Sequence, residues 1–424
     1  MLTLKVLREQ PQFVIERLAI KNFDAKEIVN NILEKDSLRR ALQTQLDSVL
    51  AEQNQKAKVI GGLMKEGKKV EAEAVKAEVA NLKEVSKDLE EKLEQESTQM
   101  NELLVLLPNL PAKEVPAGKV AEDNVVVKMG GEVPTLPSNA KPHWELAKKL
   151  DIIDFDLGVK LTGAGFPVYK GKGARIQRAL ISFFLDKNTA AGYQEVQPPL
   201  VVNEASAYAT GQLPDKGEQM YHVGLDNFYM IPTAEVPVTN IYRDCMVNSA
   251  DFPIKMTAYT QCFRREAGSY GKDVRGLNRL HQFDKVEIVQ LSHPNDSFAA
   301  LDGMVAHVES IVKALELPYR ILRLCGGDMS FTSAITYDFE VYSAAQERWL
   351  EVSSVSNFES FQANRLKLRY KDENGKPQLA HTLNGSSLAL PRILAALLEN
   401  NQDENGNIRI PKALQEYTGF ALID

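Results

Sequence analysis

Between Asp24 and His143 the chain carries no Phe, Tyr or Trp, and between Gln12 and Leu107 it carries no proline. Such a stretch has little with which to close a compact core, but nothing that would interrupt a long helix. Residues 21–100 hold 14 Lys and Arg against 16 Asp and Glu, with the two signs interspersed, which suits solvated helices. Val75, Val79, Leu82, Val85 or Ser86, Leu89 and Leu93 step by fours and threes, the spacing of a two-helix seam. Ile28, Ile32, Leu38, Leu42, Leu46 and Val49 repeat the pattern more loosely. Gly61, Gly62 and Gly67, with Lys65, Lys68 and Lys69, mark a turn between them. The spacing predicts an antiparallel hairpin over about residues 27–103, two helices of about 30 residues reaching roughly 45–50 Å. A dimerising coiled coil is the competing reading, and the short glycine turn favours the intrachain pair. Residues 1–23 are expected to form a small helix that packs elsewhere.

The segment Leu107-Pro108-Asn109-Leu110-Pro111 ends the arm, and Pro116, Pro134, Pro137 and Pro142 keep residues 108–142 extended. This divides the chain into an N-terminal domain, 1–110, and a larger domain, 111–424. Beyond Trp144, Gly173 to Asn188 reads as an amphipathic helix. Strand-like runs follow at 227–232, 254–263, 279–291, 318–324, 335–342 and 348–355, with helical segments at 294–315 and 387–400. Strands cluster without regular βαβ alternation, so the expected class is α+β, an antiparallel sheet flanked by helices.

The net charge of −7 argues against a nucleic-acid coat and leaves room for a local basic face. Cys245, Cys262 and Cys325 form no C-x-x-C pair and read as free thiols. No leader-like apolar run opens the sequence, and no window is long enough to span a bilayer, so a cytoplasmic protein is expected. No P-loop run is present.

The densest chemical signal is FRREAGSYGKDVRGLNRLHQFDKVE, Phe263 to Glu287. Strand alternation would put Arg264 and Glu266 on one face, and Phe283 and Glu287 on one face of the returning strand. An arginine for phosphate, a ring for a base and carboxylates for an ammonium group suit a nucleotide plus an amino acid. By composition alone a charged surface hairpin fits as well.

This stretch resembles motif 2 of class II aminoacyl-tRNA synthetases, in the form typical of seryl-tRNA synthetases. HTLNGSSLALPRILAALLEN, His381 to Asn400, resembles motif 3, and AGYQEVQPPLVVNEA, Ala191 to Ala205, looks like motif 1. PTAE, Pro232 to Glu235, and EVSSVSNFESFQANR, Glu351 to Arg365, are similar to the same family. The resemblance spans nearly the whole chain, the family's N-terminal helical hairpin included. It implies activation of L-serine by ATP and transfer to tRNA(Ser), and to tRNA(Sec) where the host has one.

Residue by residue, the resemblance implies that Arg264 grips the α-phosphate and Arg392 the γ-phosphate. Arg265, Glu266, Leu280, Phe283, Glu351, Val352, Ser353 and Ser354 complete the ATP site, Phe283 by stacking on adenine. Glu351 and Ser354 hold Mg²⁺ with the phosphates, and no zinc is expected. Strict strand alternation would place Ser353, not Ser354, beside Glu351, so that pair requires a bulge or strand end. Thr233, Ala234, Glu235, Arg264, Glu287 and Ser386 form the serine pocket, with period two aligning Thr233 and Glu235. Generic readings stay open: a strand threonine for Thr233, a helix cap for Ser386. Ser387 departs from the glycine many relatives have there, and either tightens the pocket or caps the helix. Motif 1 implies a homodimer. Lys65, Lys68, Lys69, Arg39 and Arg40 are candidates to touch tRNA, with a solvated charged surface the alternative.

Overall fold

The structure, a computed structural model, describes residues 1–215, 217–266 and 275–424; part of the Phe263–Glu287 motif therefore lies outside the described residues. The chain divides into two compact units: Leu2–Ala19 with Phe23–Pro108, and Met1 with Ile20–Asn22 and Asn109–Asp424.

In the first unit, two short helices, α1 (Leu4–Glu9) and α2 (Pro11–Ile20), precede the hairpin helices α3 (Lys26–Lys65) and α4 (Lys69–Leu104). The hairpin helices hold 40 and 36 residues, about 60 and 54 Å at 1.5 Å per residue, longer than the sequence pattern suggested. The reversal is confined to residues 66–68, where Gly67 takes a positive φ of 77°. Gly61 and Gly62 lie inside α3, since isolated glycines cost only about 1 kcal/mol each in a helix this continuous. Leu42, Leu46 and Leu89 form the seam with Val49, Leu50 and Leu93 packed against them. Of the two alternatives at its centre, Ser86 is buried and Val85 is 46% exposed. Gln53 fills that polar notch, donating to Ser86 Oγ at 3.0 Å and to the Leu82 carbonyl at 2.8 Å.

In the second unit, eight strands among the described residues form one sheet. They are β1 (Val125–Gly130), β2 (Gln194–Glu195), β3 (Ile254–Phe263), β4 (Gln282–Ser292), β5 (Tyr319–Arg323), β6 (Ile335–Ser343), β7 (Arg348–Glu359) and β8 (His381–Ala389). Their order is β1-β5-β6-β7-β8-β4-β3-β2, antiparallel throughout except for the short β2 beside β3. The antiparallel α+β expectation is borne out. The proline-rich 108–142 segment supplies edge strand β1, and Pro198-Pro199 follow a strand of only two residues.

Helices α5 (Gly171–Ala190), α6 (Glu235–Asn240), α7 (Ser297–Ala314), α8 (Ser360–Leu366) and α9 (Leu390–Asn400) pack on this sheet. Phe183 and Phe184 of α5, Met304 and Val308 of α7 and Ile393 and Leu397 of α9 bury one sheet face with Val286, Ile288, Phe339 and Val341. The helix expected over 387–400 starts only at Leu390, with Ala389 as its cap. Ser386 and Ser387 are strand residues, because β8 continues past its pairing with β7, which reaches Gly385, along β4, where Ser386 stands opposite Glu287 and Ser387 falls in the register irregularity that follows. Neither serine caps a helix. Ser387 is fully buried and donates to Asn188 Oδ1 at 2.9 Å, pointing away from Ser386.

Candidate functional site

The opposite sheet face holds a cavity of about 690 Å³. Its floor follows from strand period two. On β4, Phe283, Lys285 and Glu287 share a face, and Glu287 stands opposite Ser386 of β8. Thr336 and Asp338 of β6 stand opposite Ser356 and Ser354 of β7 on the same face.

Near the Glu351 end the register slips. Phe339 pairs with Ser353 and Glu340 with Glu351, leaving Val352 without a partner. Of the bulge or strand end that the Glu351–Ser354 pair required, the structure has the bulge, and it turns Glu351 and Ser354 to one side. Ser354 Oγ lies 3.5 Å from Glu351 Oε1 and donates to Asp338 at 2.5 Å. Burial, then the neighbouring Glu351 charge, push the Asp338 carboxyl well above the usual carboxylate range. Two carboxylates and a hydroxyl are thus packed with little compensating charge. Among the described residues Arg392 is the nearby cation, its Nη1 3.8 Å from Glu351 Oε2. This hard-oxygen set fits a divalent cation that draws its other ligands from phosphates and water. Among the described residues no three His, Cys, Asp or Glu gather as a metal-binding group.

Strand β3 ends at Phe263, so period two does not govern Arg264 and Glu266 as the alternation argument assumed. Arg264 is held instead by its own N–H to the His281 carbonyl at 2.9 Å and by Nε to the Pro232 carbonyl at 3.3 Å. Its guanidinium lies 5.3 Å from the centre of the Phe283 ring. Glu266 has a positive φ of 50° and pairs with Arg279 at 2.7 Å. Arg392, in the first turn of α9, donates Nε to the Asn278 carbonyl at 3.0 Å and Nη1 to the Glu351 carbonyl at 2.7 Å. The remaining guanidinium N–H groups are left for a ligand, at a helix N-terminus that favours anions.

At the far end of the floor, Thr233 and Glu235 are not in a strand. Glu235 begins α6, and its N–H donates to Thr233 Oγ1 at 3.2 Å. The tight turn, rather than period two, puts both at the cavity. Lys285 Nζ lies 2.5 Å from Glu287 Oε2 and donates to Thr233 Oγ1 at 2.8 Å, and Thr233 donates to Glu287 at 3.2 Å. Lys285 thereby neutralises Glu287. Among the described residues Glu235 has no cation at hydrogen-bond distance; it accepts from Gln362 Nε2 at 2.6 Å, and Gln362 in turn accepts from Thr382 at 2.7 Å. Burial, then the Glu287 charge, raise the Glu235 carboxyl to about 7.

The cavity therefore brings together Thr233, Glu235, Arg264, Glu266, Leu280, Phe283, Glu287, Glu351, Val352, Ser353, Ser354, Ser386 and Arg392. It does not bring in two of the residues singled out from sequence. The Ala234 methyl is fully buried among Val238, Met256, Ala258 and Val289, and the Arg265 side chain is exposed outside the cavity. Cys262 is buried on β3 opposite Phe283, and burial raises its thiol further, so it is no nucleophile. Sequence reasoning missed Lys285 and Asp338. Period two through Phe283 and Glu287, and through Thr336, carried the signal for both.

Of the hairpin cations, Arg39 and Arg40 both reach Asp36 at 3.2 Å, together with Arg8 at 2.6 Å, and Lys68 pairs with Glu66. Three arginines thus converge on one buried aspartate.

Residues 1–111 match the family model for the seryl-tRNA synthetase N-terminal domain, and residues 221–401 match the class II tRNA synthetase core domain of the G, H, P, S and T enzymes. The serine–tRNA ligase of Salinibacter ruber is 52% identical, covering 100% of this chain and 99% of its own. That of Akkermansia muciniphila is 47% identical over the same shares. The crystal structure of seryl-tRNA synthetase from Pyrococcus horikoshii complexed with ATP superposes with a TM-score of 0.92 at 31% identity, covering 100% of this chain and 99% of that one.

Proposed function

This chain belongs to the seryl-tRNA synthetase family and is a ligase that joins serine to tRNA(Ser) at the expense of ATP; from that premise we propose how its cavity divides the work. ATP takes the end bounded by Arg264, Phe283, Glu351 and Arg392, with adenine on the Phe283 ring and the phosphates between the two arginines. Serine takes the end bounded by Thr233, Glu235, Glu287 and Ser386. The observation that carries this division is the asymmetry of the two buried carboxylates. Glu287 already has Lys285, whereas Glu235 lacks a cation of its own among the described residues and is left for the substrate ammonium. Glu287, Thr233 and Ser386 then surround the hydroxyl. Such a polar pocket rejects alanine, because its groups would be left unpaired.

In the first step the serine carboxylate attacks the α-phosphorus in line, and pyrophosphate leaves. The carboxylate is ionised at neutral pH, so no protein base is required. Arg264 and Arg392 hold the phosphates in position and neutralise charge developing on the equatorial and leaving oxygens. Glu351 and Ser354, with Asp338 behind them, would hold Mg²⁺, which when bound adds further charge neutralisation on the phosphates. The second step transfers the seryl group to the terminal ribose of tRNA(Ser), or of tRNA(Sec) in a host that has one.

The N-terminal domain, 1–110, carries the hairpin that contacts tRNA, with Arg39, Arg40 and the tip lysines Lys65, Lys68 and Lys69 as its cations. A homodimer and a cytoplasmic location complete the reading. Edge strand β1 supports the first, since Val125, Val126, Val127 and Met129 all stand exposed along it. Among the described residues no helix is long and apolar enough to cross a membrane.

The test is ATP–pyrophosphate exchange with serine, threonine, alanine and glycine. Exchange with serine alone is expected, and Arg264→Ala should abolish it while leaving thermal unfolding in place. Retained exchange in that variant would refute the assignment of the arginine.

A further inference from the structure

Outside the cavity, one cluster of buried titratable groups has no part in the reaction described above. His143 and Glu399 are both fully buried, 256 residues apart in sequence, and their side chains meet at 2.7 Å through His143 Nδ1. Glu399 Oε1 also accepts from the His143 backbone N–H at 2.9 Å and from Gln346 at 3.0 Å, and Ser343 donates to the other oxygen. A carboxylate so surrounded accepts a proton-bearing Nδ1. The opposite ring nitrogen, Nε2, accepts the Leu277 N–H at 2.8 Å. One acceptor and one donor position define a neutral imidazole carrying its proton on Nδ1.

What this ring holds is the stretch that returns to β4. Gly276 approaches it so closely that a Cβ there would lie 2.2 Å from His143 Nε2. The next two residues, Leu277 and Asn278, line the cavity. The Asn278 side chain donates to Gln346 at 2.9 Å, and its carbonyl accepts Arg392 Nε at 3.0 Å. Arg392 and Glu399 lie seven residues apart on α9, which brings them to nearly the same face about 10 Å apart. The helix therefore holds residues 277–278 at two points: through Glu399 and His143 at Leu277, and through Arg392 at Asn278.

We propose that His143 is a positioning residue for the nucleotide phosphates: by accepting the Leu277 N–H while bound to Glu399, it fixes the Asn278 carbonyl and so aims the Arg392 guanidinium into the cavity. The proposal rests on the reading of Arg392 as a phosphate ligand. Loss of the acceptor frees the 277–278 peptide, and Arg392 loses one of the two carbonyls that orient it. A charge-assisted hydrogen bond from a guanidinium to a phosphate contributes roughly tenfold to a hundredfold to binding, and it depends on that aim.

The experiment measures calorimetric binding of ATP and of AMP, which lacks the outer phosphates, to the full-length protein. It compares wild type with His143→Asn, His143→Gln, Arg392→Ala and the His143→Asn/Arg392→Ala double variant, alongside thermal unfolding. Asn retains a donor toward Glu399 but removes the acceptor beneath Leu277; Gln restores an acceptor near the Nε2 position. His143→Asn is expected to weaken ATP roughly tenfold to a hundredfold with AMP unchanged. His143→Gln should recover part of that loss, and His143→Asn should add nothing on the Arg392→Ala background. Equal weakening of ATP and AMP, a folded His143→Asn protein with wild-type ATP binding, or additivity with Arg392→Ala would overturn the role of His143 alone. Arg392→Ala leaving the preference for ATP over AMP intact would overturn the phosphate reading, and the proposal with it. If His143→Asn does not fold, the same comparison is made on Gly276→Ala, which presses on the same ring from the loop side.

Discussion

Serine binding should depend on pH through Glu235. Its carboxyl is raised to about 7, first by burial and then by the Glu287 charge. Among the described residues the other charged group acting on it is Lys285, which is engaged with Glu287. Gln362 and Asn384 contribute only neutral amides. The substrate ammonium needs the ionised form, and free serine keeps its ammonium and carboxylate charges across pH 6–8. At pH 8 about nine-tenths of Glu235 is ionised, at pH 6 about one-tenth, so the apparent Kd for serine rises about tenfold on acidification. The sign follows from the direction of the shift: a raised carboxyl pKa leaves the competent anion scarce below pH 7 and abundant above it. Binding at pH 6.5 should release roughly three-quarters of a proton. Calorimetry in buffers of differing ionisation enthalpy reads both quantities in one titration. Glu235→Gln should bind serine weakly, with a flat pH profile and no proton release. A wild-type Kd that stays constant from pH 6 to 8 without proton release would refute the argument that Glu235 is the uncompensated anion of the pocket.

Removing the lysine from the buried pair should cost stability as well as activity. Lys285→Met leaves Glu287 desolvated without its cation, a loss of about 3–5 kcal/mol in urea unfolding, and adding Glu287→Leu should recover much of it. Less than about 1 kcal/mol lost would mean that solvent reaches the pair. Gly276→Ala places a Cβ against His143 and a non-glycine residue at φ 64°, and should lower stability by about 1–3 kcal/mol in thermal unfolding. Chelation with EDTA should abolish ATP–pyrophosphate exchange and added Mg²⁺ restore it, and Glu351→Gln should raise the Mg²⁺ concentration for half-maximal exchange by about tenfold or more. Unchanged Mg²⁺ dependence in that variant would place the cation elsewhere.

What could be read from the chain alone was whatever repeats or clusters locally. The hairpin is written in its spacing of threes and fours and in the absence of proline and aromatic residues over about eighty positions. The antiparallel sheet is written in closely spaced strand-like runs. The bulge at Val352 could be anticipated because two residues of the motif would otherwise face opposite ways. The turn at Gly67, rather than at Gly61 and Gly62, could not, because a helix tolerates isolated glycines whenever its partner continues to pack.

The charge state of Glu235, the neutralisation of Glu287 by Lys285, the exclusion of Ala234 and Arg265 and the pairing of His143 with Glu399 were decided only by the tertiary structure. Periodicity is a property of neighbours along the chain, and a residue list shows it directly. Desolvation and the identity of the nearest charge are properties of neighbours in space. His143 and Glu399 become a pair only when the fold removes water from both and leaves each as the other's partner.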